Sequence, residues 1–118
     1  MSGYILDAGM IVVPIGNSLV FLSKKFEMPF TPWEGMGIRV YSESDGEAET
    51  YYVEQLTWDS KTNQFYSMTK HIVLHEGDDY LETVEFWKSF GWKEIEGLNE
   101  MLEGFYDYEK YGPRVVKR

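Results

Sequence analysis

The spacing of apolar side chains changes near Gly77, and that change constrains the fold more than any other feature of the chain. Before it, β-branched and aromatic residues come in short runs separated by turn signals, the pattern of strands and hairpins. After it, apolar residues recur every three or four positions, as they do along one face of a helix. Strands first and helices afterwards predict an α+β fold. Its N-terminal part is an antiparallel sheet of about five strands over residues 3–76, open or curled into a half-barrel, packed against two C-terminal helices. Residues 1–111 are expected to form one domain, because neither part alone carries enough apolar surface to close a core. Residues 112–118 read as a basic tail bearing Arg114, Lys117 and Arg118.

The strands have their own punctuation. Ile11, Val12, Val13 and Ile15 precede Gly16-Asn17, and Leu19, Val20, Phe21 and Leu22 follow, which suits an antiparallel hairpin. Ile38, Arg39, Val40 and Tyr41 form the next run and lead into an acidic connection with the turn dipeptide Asp45-Gly46. Residues 50–58 and 65–74 are expected to be the last two strands. Between them stands Trp58-Asp59-Ser60-Lys61-Thr62-Asn63-Gln64-Phe65. This segment resembles the second hairpin of the immunoglobulin-binding domains of streptococcal protein G. The likeness implies a tight hairpin with Asn63 in the left-handed position and Trp58 facing Phe65 across the strands, and implies nothing about immunoglobulin.

In the helical part, Asp79 is placed to cap a helix, with Glu82 three residues on as the reciprocal partner of a capping box. Tyr80, Val84 and Trp87 share one face, with Phe86 and Phe90 beside it, and Gly91 is placed to end the helix in a left-handed conformation. Ile95, Leu98, Leu102 and Phe105 predict a second amphipathic helix, whose polar side carries Glu94, Glu96, Glu100 and Glu103.

Charge narrows the function. Residues 76–109 hold eleven acidic side chains against Lys88 and Lys93, a surplus of nine that equals the formal charge of the whole chain. Such a surface repels phosphate and attracts basic partners, which argues against direct nucleic-acid binding. The absence of cysteine excludes thiolate nucleophiles, disulfides and cysteine-bound metals. His71 and His75, four apart on a predicted strand, sit about 13 Å from each other, too far to share one ion. No glycine-rich phosphate loop or nucleophile elbow occurs, and no cofactor is implied. No apolar run is long enough to span a bilayer, and the first residues lack the basic start of a secretion signal, so a cytoplasmic location is expected.

The reading these features favour is a small acidic, non-enzymatic module that docks on a protein with a basic surface, as an inhibitor or an immunity or anti-defence protein would. Its oligomeric state is open, and a homodimer is allowed. Residues 28–37 hold two prolines and two glycines around Phe30, Trp33 and Met36, so this loop either caps the core with its rings or presents them to a partner. The candidate contacts are Phe30, Trp33, Met36, Trp87 and Trp92 as anchors, and Glu94, Glu96, Glu100 and Glu103 as steering charges. Two alternatives stay open: a DNA mimic whose carboxylates copy phosphate spacing, and a small-ligand or metal-dependent enzyme with an aromatic pocket between sheet and helices.

Overall fold

A computed structural model describes residues 3–13, 19–43, 45–68, 72–75, 77–96 and 109. The elements, in chain order, are β1 (Tyr4–Val13), β2 (Val20–Met28), β3 (Gly37–Tyr41), β4 (Ala48–Tyr52), β5 (Thr57–Asp59), β6 (Gln64–Met68), β7 (Ile72–Val73), α1 (Tyr80–Lys88) and β8 (Lys93–Ile95). The main sheet runs β5-β6-β1-β2-β8, with β7 continuing beside β1, while β3 and β4 form a separate two-stranded layer.

β1 and β2 pair antiparallel from Tyr4↔Met28 to Val12↔Val20, the hairpin expected around Gly16-Asn17, although those two turn residues lie outside the described set. The next neighbour departs from expectation. β6 and β7 both run parallel to β1, so the main sheet is mixed rather than wholly antiparallel. The cause is the chain path. After β2 the chain makes the β3–β4 layer, then returns to the other edge of β1 as the β5–β6 hairpin, whose second arm points the same way as β1. From Gly9↔Met68 to Val12↔Ile72 β1 advances three residues and its neighbour four. Ile72, paired directly with Val12, thus shares its face of the sheet.

The strand expected over residues 50–58 is broken in two. Gln55 takes φ +52, a left-handed conformation, and the backbone there leaves the β4 ladder for other partners. Val53 N–H donates to Met36 O (2.8 Å), Glu54 O accepts from Met68 N–H (3.0 Å), and Leu56 N–H donates to Glu34 Oε1 (2.9 Å). Alternation of apolar residues alone does not reveal such a hinge, because both halves keep strand-like composition.

β1 is buried on both faces. Leu6, Ala8, Met10 and Val12 meet Val40, Tyr51 and Val53 from the second layer, Val84 from α1, and Phe90 and Trp92 from the segment after it. Ile11 and Val13 on the other face pack with Leu19, Phe21, Met68 and Val73. Burying one such large side chain contributes about 1.5–3 kcal/mol. The layers are also joined by a polar link. Tyr51 Oη lies 2.9 Å from Ser67 Oγ and 3.3 Å from Gly9 O, its one proton shared between them, and burial pushes its phenol up to about 12 despite these two contacts.

Asp79 caps α1 as expected, its Oδ1 accepting from Leu81 N–H (3.0 Å) and Glu82 N–H (3.4 Å), but the reciprocal Glu82 bond of a capping box is not formed among the described residues. The helix ends in the paired bonds of a Schellman motif: Trp92 N–H reaches Trp87 O at 3.4 Å and Gly91 N–H reaches Lys88 O at 2.9 Å, with Gly91 at φ +91. The Trp92 ring packs edge-on to Trp87 at 6.2 Å, the apolar contact that often accompanies this motif. One helix, not two, is found among the described residues. Where the second was expected to begin, Lys93–Ile95 is extended as β8 and pairs with β2, Phe21 opposing Ile95. Here tertiary pairing overrides the helical spacing. Leu98, Leu102 and Phe105 lie outside the described residues, as does the basic tail at 112–118.

Candidate docking site at the aromatic end of the sheet

Three chain segments meet at the Tyr4 end of the sheet: the start of β1, the loop leaving β2, and the turn between β5 and β6. The turn forms as its sequence predicts. Asp59 Oδ1 accepts from Lys61 N–H (2.8 Å) and Thr62 N–H (3.3 Å), Asn63 N–H donates to Asp59 O (2.8 Å), and Asn63 sits at φ +58. Trp58 and Phe65 are direct cross-strand partners. Phe65 also packs edge-on to Tyr4 at 6.2 Å, while the Trp58 side chain stays 53% exposed.

The loop after β2 is braced. Pro29 and Pro32 fix two backbone angles, and Pro32 is buried. Gly35 N–H donates to Val53 O (2.8 Å), Met36 N–H to Trp33 O (3.2 Å), and the Glu34 carboxylate holds Leu56 N–H. Gly35 takes φ +84, a conformation that suits glycine. On this frame the rings of Phe30 and Trp33 lie 5.9 Å apart, tilted at 39°, and Trp33 is 56% exposed. Of the two roles open to the loop, its rings take the exposed one.

Tyr4 separates two clefts. One of about 390 Å³ is lined by Tyr4, Glu27, Met28 and Pro29, and one of about 350 Å³ by Tyr4, Trp58, Asn63 and Phe65. The exposed rings of Tyr4 and Trp58 thus line these clefts, and Phe30 and Trp33 stand exposed in the loop that follows Met28 and Pro29. That is a surface able to receive side chains from a partner and to bury large rings at low entropic cost.

The other sequence-predicted anchors lie elsewhere. Met36 is half-buried against the core. Trp87 is half-buried, and Trp92, at 2% exposure, packs on Tyr51 (5.2 Å) and Phe26 (6.3 Å). Trp92 belongs to the core and is not a docking anchor. These rings pack together between the sheet and the helix. Glu94 is exposed and ion-paired with Lys88 at 3.3 Å, and Glu96 is exposed beyond the end of β8. Glu100 and Glu103 lie outside the described residues. Two other acids serve the backbone: Asp79 caps α1, and Asp78 Oδ2 accepts from His75 N–H (2.7 Å).

Tyr4 and Trp58 join this exposed aromatic end without being among the anchors the sequence suggests; Trp58 pairs with Phe65 across the strands as expected, yet keeps about half of its surface exposed. Tyr4 has a place in the site only because β6 lies beside β1. Among the described residues no three His, Cys, Asp or Glu side chains gather as a metal site, and no helix is long and apolar enough to cross a membrane. No family model matches the chain, and neither does any curated protein or solved structure.

Proposed function

We propose that this protein is a small acidic binding module that docks on a protein partner with a basic surface, anchored by the aromatic end of its sheet. The observation that carries the reading is the Phe30–Trp33 pair, held in solvent by a loop whose backbone is tied to residues 53 and 56. Exposed rings on a rigid frame lose little freedom on binding, which is why aromatic anchors dominate interface energies. The formal charge of −9 supports steering toward a cationic surface rather than toward nucleic acid. A cytoplasmic inhibitor or immunity-type role fits these properties.

The test is affinity capture from the native host at two salt concentrations, comparing the wild type with Trp33→Ala, Trp58→Ala and a Glu94→Lys/Glu96→Lys pair. Trp33→Ala is expected to weaken capture of a specific partner by at least about tenfold, and the charge reversal to slow association at low salt. Recovery of the same partner at full yield by folded Trp33→Ala and Trp58→Ala proteins would show that this end of the sheet is not the interface.

A further inference from the structure

On the sheet face turned away from α1 and the second layer lies a cleft of about 450 Å³. That is within the range of small-molecule sites, roughly 300–1,000 Å³. Register explains its shape. Asp7 lies between Tyr66 on β6 and Lys25 on β2, and Thr57 on β5 pairs with Tyr66. One step along, Gly9 lies between Met68 and Ser23. Gly9 carries no side chain because the Phe21 ring lies over it; a Cβ there would come within 2.7 Å of that ring. The floor is thus apolar, made by Phe21, Met68 and Ile95, and polar groups stand on the β5–β6 side at Thr57 and Tyr66, on β1 at Asp7 and on β2 at Ser23. Gln55, the residue with left-handed backbone, also lines the cleft.

Asp7 is the one carboxylate lining the cleft among the described residues. Burial pushes its pKa up, and Lys25 pulls it partly back down. Its carboxylate forms none of the side-chain hydrogen bonds seen among the described residues, while its backbone is paired in the sheet. Lys25 is exposed and, like Lys93, which pairs with Ser23, stands on the β2–β8 side. The opposite side offers the oxygens of Thr57 and Tyr66.

We infer that this cleft is a second binding site, separate from the aromatic end, for a small organic amine with a flat apolar body. The ammonium group enters from the β5–β6 side and donates to the Asp7 carboxylate, while the apolar body lies on Phe21, Met68 and Ile95. Such a ligand offers the half-buried Asp7 carboxylate a charge-assisted donor in place of lost water. The lysines on the far side set its orientation, since they repel an ammonium group placed there.

The test is an NMR titration of the full chain with phenethylamine and, separately, 3-phenylpropionate. Phenethylamine is expected to shift the amides of Gly9, Ser23, Tyr66 and Met68 saturably, and the carboxylate much more weakly. Asp7→Asn is expected to weaken amine binding by about tenfold, the loss of one charge-assisted hydrogen bond. Thr57→Trp, at an exposed position on an edge strand, is expected to fill the cleft and abolish the shifts. The inference fails if the carboxylate binds as tightly as the amine, or if the amine binds to folded Asp7→Asn or Thr57→Trp unchanged. It fails equally if the shifts centre on Trp33 and Trp58, or if no saturable shift occurs.

Discussion

The link between Tyr51 and Ser67 predicts a specific coupling between the two layers. Ser67 donates its proton to Glu54 O at 2.9 Å, so its oxygen is left to accept from Tyr51 Oη (2.9 Å) and from Glu54 N–H (3.3 Å). Tyr51→Phe removes one donor, shared between Ser67 Oγ and Gly9 O, while Ser67 keeps both contacts to Glu54. The expected cost is that of one net hydrogen bond, about 1 kcal/mol. Ser67→Ala removes three contacts and strands the Glu54 N–H, while Glu54 O still holds Met68 N–H at 3.0 Å; its cost is about 2 kcal/mol. The shared bond is lost only once, so the double variant should be about 1 kcal/mol less destabilised than the sum. Urea unfolding of the four proteins measures this cycle, and each kilocalorie corresponds to a melting shift of about 3–6 °C in a chain of this size. Alkaline pH supplies a second readout. With its pKa raised to about 12 from 10.0, Tyr51 keeps a proton in the native state that the unfolded chain releases. Stability is therefore lost as pH climbs from about 10 toward 12, by roughly 2–3 kcal/mol, and Tyr51→Phe should lack that loss. Costs that add to within about 0.3 kcal/mol, or an identical alkaline profile in Tyr51→Phe, would refute a polar link between the layers.

Two further outcomes follow from single residues. Gly91→Ala should cost about 1–2 kcal/mol, because φ +91 is strained for any side chain, while the nearby Lys24 Nζ is the tip of a flexible chain that can move aside; an unchanged melting temperature would contradict this account of the helix end. Asp7→Asn should raise the melting temperature at pH 7, since the raised folded pKa of Asp7 makes its ionised form a liability to the native state above the unfolded value of 3.8; the gain should fade as pH falls below that value, and a destabilised variant at pH 7 would show that Asp7 is paired after all.

Local chemistry was readable from sequence wherever one residue decides one geometry. Asp59 and Asn63 set the β5–β6 turn, Asp79 caps α1, and Gly91 closes it. Each depends on a side chain acting on nearby backbone or, at Asn63 and Gly91, on the residue's own tolerance of a left-handed backbone. The general class, α+β with an antiparallel-rich sheet, was readable for the same reason, since alternation and helical spacing are local patterns. What escaped was longer in range. The parallel pairing of β6 with β1 joins residues about sixty positions apart, as in Leu6↔Phe65, and no local pattern encodes strand direction. Ile95 shows the converse. Its spacing to Leu98 suits a helix, yet pairing opposite Phe21 holds it in a strand. Trp92 was misplaced because aromatic character does not distinguish an anchor from a core residue; burial does.

Strand direction is also what assembles both proposed surfaces. β1 starts at Tyr4, antiparallel β2 finishes at Met28 opposite it, and parallel β6 starts at the same end. The loop carrying Phe30 and Trp33 and the turn preceding Phe65 are thereby delivered to one edge, with Tyr4 between them. Were β6 antiparallel to β1, its five residues would carry Trp58 about 17 Å away, to the opposite end of the sheet. The same direction sets Tyr66 beside Asp7 and Phe65 beside Leu6, so successive residues of β6 serve the cleft on one face and the core on the other. A mutation that loosened the β6–β1 pairing would therefore disturb docking and amine binding together, whereas Trp33→Ala and Asp7→Asn should each remove one and spare the other.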